Sequence, residues 1–155
     1  MEQVERIFRR KIYSQMLKWK QERDGKTALL MKGAWRVGKS TIAEQFARNE
    51  YESYIVVDFA DAPDELWEAV NHISDRNLFF TQLQFIYNVT LKERHCVIIF
   101  DEIQKCPAAR KAIKYLVQDH RYDYIETGSL LSIKKHTQGI VIPSEETRIT
   151  MYLFG

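Results

Sequence analysis

Cysteine, proline and glycine are all scarce, with 2, 3 and 6 copies in 155 residues. Two cysteines cannot build a disulfide scaffold, and Cys96 and Cys106 have neither a CxxC spacing nor a nearby histidine pair of the kind a structural zinc requires. They read as reduced, structural residues, with Cys96 opening an apolar run that is expected to be buried. So little proline and glycine excludes a collagen-like or low-complexity chain. Charge of one sign is also missing: 23 Lys and Arg stand against 21 Asp and Glu, for a net charge of +2. The whole molecule therefore offers no electrostatic attraction to nucleic acid or to an anionic membrane. No apolar run approaches the roughly 18 to 20 residues that cross a bilayer, and the opening MEQVERIFRR lacks the apolar core of a signal peptide. A cytoplasmic protein without membrane insertion is the expectation.

What remains has the balance of a globular domain, with 45% hydrophobic and 28% charged residues. Its length suits one core. The basic residues Arg6, Arg9, Arg10, Lys11, Lys18 and Lys20 fall in a segment where Ile12, Met16 and Trp19 recur at helical spacing. They belong to the solvated face of an amphipathic helix over residues 1–24 rather than to a nucleic-acid or lipid contact. Asp24-Gly25 signals a turn. Strands are expected at Thr27 to Met31, Tyr54 to Phe59, Cys96 to Phe100 and Asp123 to Glu126. A last strand is expected at either Ile140 to Ile142 or Arg148 to Leu153. Between them, Lys39 to Arg48 carries an i, i+4 stripe of Ile42, Ala43, Phe46 and Ala47. Residues 61–89 read as one or two helices, and Pro107 opens another. The large side chains Trp67, Phe79, Phe80, Leu83, Phe85, Ile86 and Tyr87 are assigned to the core. Strands alternating with helices predict a three-layer α/β/α domain with a mostly parallel sheet over residues 25–155.

Chemistry concentrates at strand ends. Gly33-Ala34-Trp35-Arg36-Val37-Gly38-Lys39-Ser40 fits G-x-x-x-x-G-K-[ST], and it lies between an apolar strand and an amphipathic helix. Glycines let the backbone bend and approach oxygen atoms, so that N–H groups and the helix N-terminus face phosphates. Lys39 suits the β and γ phosphates, Ser40 offers a hydroxyl to Mg²⁺, and Thr41 is placed near the α phosphate. Val97-Ile98-Ile99-Phe100 then delivers Asp101 and Glu102 to the carboxyl end of the sheet. Asp101 is the expected Mg²⁺ partner. Glu102 is the expected acceptor or orienter of the water that attacks the γ phosphate, with Lys39 as the other catalytic group. Thr127, beside Gly128 and Ser129, is a candidate sensor of the γ phosphate, with turn formation as the plainer role. Arg148 is either an arginine finger for a neighbouring subunit or, more simply, a surface residue.

Three stretches resemble the prokaryotic AAA-type ATPases with a GARRVGKS-type Walker A: GAWRVGKST at Gly33 to Thr41, VIIFDEIQ at Val97 to Gln104, and YDYIETGSLLSIKK at Tyr122 to Lys135. The resemblance implies strand order 5-1-4-3-2. It also implies a phosphate loop at Lys39 and Ser40, a Walker B pair at Asp101 and Glu102, and a sensor region at Thr127 to Ser129. Trp35 stands where that family usually carries Arg. Family members run on into a helical lid and a carboxyl-terminal domain, so the chain resembles an amino-terminal ATPase core, from which weak turnover is expected. Two functions follow from these residues: Mg²⁺-dependent ATP hydrolysis coupled to another process, or a nucleotide-responsive binding module with little hydrolysis. A P-loop kinase is disfavoured, because adjacent Asp101 and Glu102 suit water activation and no Arg-rich lid is evident. No guanine-reading Asn-Lys-x-Asp motif occurs. A homo-oligomer and a protein partner both stay open.

Overall fold

The computed structural model describes residues 2–33, 38–129 and 146–151. Five parallel strands form one sheet: β1 (Ala28–Gly33), β2 (Ser53–Asp58), β3 (Cys96–Asp101), β4 (Asp123–Ser129) and β5 (Glu146–Met151). The order is β2-β3-β4-β1-β5, which is 5-1-4-3-2 read from the opposite edge. The last strand falls on Glu146–Met151, overlapping the second of the two expected segments; the alternative at Ile140 to Ile142 lies outside the described residues.

Helices cover both faces, and the sequence shows why each lies where it does. Helix α1 (Glu2–Arg23) buries Ile12, Met16 and Trp19, spaced 4 and 3 residues apart, while Arg6, Arg10, Lys11 and Lys18 stay exposed. Helix α2 (Lys39–Glu50) buries Ile42, Ala43, Phe46 and Ala47. These two helices pack on Leu29, Met31, Val97, Ile99, Ile125 and Ile149. The opposite face, built on Ile55, Val57, Ile98, Phe100 and Tyr124, receives α3 (Asp64–Val70), α4 (Arg76–Tyr87) and α5 (Pro107–Asp119). Every residue of β3 is buried, as expected for the apolar run Cys96 to Phe100 between two neighbouring strands. Cys96 and Cys106 are both buried and unbonded to one another.

Helix ends follow local chemistry. Asp75 caps α4 by accepting a hydrogen bond from the Leu78 N–H at 3.2 Å, and Asn88 ends the helix in the left-handed region at φ 52°. Pro107 opens α5, where its missing N–H has no helical partner to lose.

Two core assignments need correction. Phe79, Phe80 and Leu83 are buried, but Phe85 is 88% exposed and Trp67 38% exposed. On α4 the buried side is set by positions 79, 80 and 83. At 100° per residue, position 85 turns away from them.

Candidate functional site

The carboxyl ends of β1, β3 and β4 lie side by side, because β4 sits between the other two. This is the edge at which open α/β sheets gather functional loops. The chain leaves β1 at Gly33 and enters α2 at Lys39, with Gly38 as the residue before the helix at φ 75° and ψ 32°. That left-handed conformation suits glycine and strains most other residues. Residues 34–37, and with them Ala34, Trp35, Arg36 and Val37, lie outside the described residues. Lys39 is buried at the first turn of α2, and its ammonium donates to the Gly33 carbonyl at 3.2 Å, spanning the loop from end to start. Burial pulls the Lys39 pKa below the ordinary lysine value, opposed by the charges of Glu102 and Asp101. The cation therefore sits near two carboxylates at the start of α2.

Ser40 follows on the same helix turn. Its hydroxyl donates to Asp101 Oδ1 at 2.6 Å, across 61 residues of sequence. Asp101 ends β3, largely buried, and also accepts a hydrogen bond from Thr127 Oγ1 on β4. Thr127 in turn accepts from the Glu102 N–H at 3.1 Å. The hydroxyl of Thr127 therefore ties the two acidic residues together from the neighbouring strand. Thr41 is exposed on the outer side of α2.

Glu102 departs from regular backbone. Its φ of 56° and ψ of 50° place a residue with a side chain in the left-handed region, at a penalty on the order of 1 kcal/mol. The Thr127 bond holds its N–H, and its carboxylate accepts from Gln104 Nε2. Gln104 is buried and stands at the third residue after Asp101. It belongs to the VIIFDEIQ stretch, but nothing in that spacing reveals that it clasps Glu102. The left-handed turn at Glu102, invisible in composition, brings the two side chains together.

Arg148, for which a surface position is the simpler expectation, is not free. It lies half-buried on β5, 3.6 Å from Glu146, in a cluster that also holds Arg110 of α5 and Glu126 of β4. The burial arises because β5 adds to the sheet beside β1 and brings Arg148 level with Leu30.

Residues 25–154 match the model of the AAA domain, which covers most of the chain. The chain belongs to the AAA domain family. AAA domains are nucleotide-binding domains of ATPase type, and the parallel sheet with its loop from Gly33 to Lys39 is consistent with that class. No curated protein matches the chain. Among the described residues no helix of this AAA domain is long and apolar enough to cross a membrane. Nor do three or more His, Cys, Asp or Glu side chains gather there into a metal-binding group. A Mg²⁺ ion bound through one or two protein oxygens and the phosphates of a nucleotide needs no such group.

Proposed function

We propose that this AAA domain binds ATP with Mg²⁺ on the segment Gly33 to Ser40 and hydrolyses it to ADP and phosphate. One observation carries the reading: the Ser40 hydroxyl and the Asp101 carboxylate, far apart in sequence, meet at 2.6 Å at the end of the loop. Two hard oxygen donors at that spacing fit a shared Mg²⁺, and Ser40 and Asp101 would hold it. When bound, the ion supplies neutralising charge to the phosphate oxygens.

The chain's own groups account for the rest. Backbone N–H groups at the start of α2 face the phosphates, and Lys39, shifting from the Gly33 carbonyl, neutralises charge on the β and γ groups. Its lowered pKa reflects burial, which an arriving phosphate offsets. Glu102 orients a water and takes its proton as the water oxygen bonds to the γ phosphorus. The bond from that phosphorus to the bridging oxygen breaks, and ADP leaves with the bond's electrons. Thr127 positions Asp101 and the Glu102 backbone through its single hydroxyl. The left-handed backbone at Glu102 is the kind of strain that functional sites retain.

The alternative, a nucleotide-responsive module with little hydrolysis, draws support from Gln104, which engages the Glu102 carboxylate. In that state the carboxylate is held by a neutral amide rather than presented to water. Glu102→Gln separates the two. As an ATPase, the chain releases phosphate from MgATP, and the variant keeps its affinity within about threefold while phosphate release falls by about 10²-fold or more. Equal phosphate release by both proteins removes Glu102 from the reaction. Binding without release in the wild type supports the module.

A further inference from the structure

The basic face of α1 is not uniformly solvated. A hollow of about 320 Å³ between α1 and α2 is lined by Arg6, Arg9, Arg10, Tyr13, Ile42 and Gln45. Three guanidinium groups and no carboxylate stand among its six lining residues, with Glu50 at its margin accepting from the Tyr13 hydroxyl at 2.5 Å, so its lining carries an excess of positive charge although the chain as a whole is almost neutral. The hollow also adjoins the loop. A methyl group built on Gly38 would meet Arg9 Nη2 at 3.3 Å, so this guanidinium lies against the backbone where α2 begins. Arg9 pairs with Glu5 at 3.7 Å, an exposed contact within one helix that a better anion readily displaces.

Sheet order decides which end of a nucleotide Arg9 faces. Asp101 and Thr127 come from β3 and β4, which lie on one side of β1. Helix α1 packs against α2 and against β5, which lies on the other side. Arg9 therefore approaches the start of α2 from the flank opposite the acidic pair. A triphosphate laid along the loop, with its γ group at Ser40, Asp101 and Glu102, directs its α phosphate and nucleoside toward the remaining flank.

We propose that Arg9 contacts the bound nucleotide, pairing its guanidinium with the α-phosphate end of a nucleoside di- or triphosphate at the mouth of the α1–α2 hollow. This rests on the reading of Gly33 to Ser40 as the phosphate-binding segment. A guanidinium suits the role because its planar fork donates two hydrogen bonds to one phosphate. The α1 helix thereby becomes part of the nucleotide site, and its cations are not merely a solvated face.

Calorimetry with MgADP and with a magnesium complex of a non-hydrolysable ATP analogue tests this. Arg9→Ala is expected to weaken both nucleotides by the same factor, about tenfold, as for a lost charge-assisted hydrogen bond. Arg9→Gln keeps the stem without the charge and should show a similar loss, whereas Lys11→Ala, which removes a cation outside the hollow, stays within about twofold. Unliganded Arg9→Ala should melt close to wild type, since the polar partner of Arg9 among the described residues is an exposed glutamate on its own helix. Affinities of both Arg9 variants within about twofold of wild type overturn the inference while leaving the loop's role intact. A loss confined to the triphosphate also overturns it, by placing Arg9 at the γ end. A wild-type chain that binds neither nucleotide overturns the phosphate-loop reading and the Arg9 inference with it.

Discussion

Glu126 has no solvent exposure, although it stands next to Thr127 on β4, and its charge is managed by neighbours rather than by water. Arg110 of α5 donates to it at 3.1 Å and grips Glu146 of β5 with both arms, while Glu126 Oε2 has no hydrogen-bond partner. Burial, the hydrogen bond with Glu146 and the Glu146 charge push the Glu126 carboxyl well above the usual range, against the pull of Arg110. Burial pushes Glu146 upward too, but hydrogen bonds from Glu126 and Arg110 and the nearby Arg110 and Arg148 charges outweigh it and hold its pKa low. The two acids thus divide the roles: Glu126 holds its proton more tightly than an ordinary glutamate, and Glu146 gives its proton up more readily. Their linkage to stability has opposite signs. Unfolding lets Glu126 ionise, so the stability tied to its proton is lost as pH rises from the ordinary glutamate value toward its raised folded value. The contribution of Glu146 is complete above its unfolded value and is lost as pH falls through its lowered folded value. Urea melts at about pH 5 and about pH 8 should show Glu126→Gln gaining on wild type by on the order of 1 kcal/mol across that interval. Glu146→Gln should lose about 3 kcal/mol at neutral pH, because it leaves Arg110 and Arg148 with a weaker counter-charge. A difference between Glu126→Gln and wild type that does not change with pH would contradict this division.

Elements with a clean period were legible in the sequence, and those placed by tertiary contact were less so. Ile12, Met16 and Trp19 announced α1, and Ile42, Ala43, Phe46 and Ala47 announced α2, because each set marks one side of a helix that meets the sheet. The crowded aromatic stretch after Leu66 was harder. Its many large residues satisfy several helical phases at once, so the division into α3 and α4 and the outward turn of Phe85 depended on which side met the sheet. Phe80 shows the inward case: it is buried, its ring meets Tyr122 edge-on at 4.9 Å, and the Arg121 guanidinium lies 5.1 Å from its centroid. Phe80→Ala should therefore destabilise the chain by about 3–5 kcal/mol, whereas Phe85→Ser should shift stability by no more than about 0.5 kcal/mol. Denaturant melts of the two variants check the assignment. Comparable losses would mean that Phe85 is packed as the bare sequence suggested.

Across the whole molecule, the order β2-β3-β4-β1-β5 is what turns separate motifs into one site. Gly33, Gly38, Lys39, Ser40, Asp101 and Glu102 could be picked out by pattern, since glycine, lysine, hydroxyl and carboxylate at strand ends each have a phosphate or metal chemistry. Their convergence rests on β4 lying between β1 and β3, an order that the family resemblance implied, whereas the turn of the Thr127 hydroxyl onto Asp101 was not legible. Gln104 and Arg9 were out of reach for a related reason. One is brought to Glu102 by a left-handed turn, and the other is brought to Gly38 by the packing of α1 against α2. The central claim is that this convergence binds a nucleotide through Lys39. Isothermal titration of MgATP into wild type and Lys39→Ala tests it most directly. Saturable binding by the wild type, weakened about 10²-fold or more in the variant, is the predicted result. Equal affinity in the two proteins, or no binding by the wild type, would contradict it.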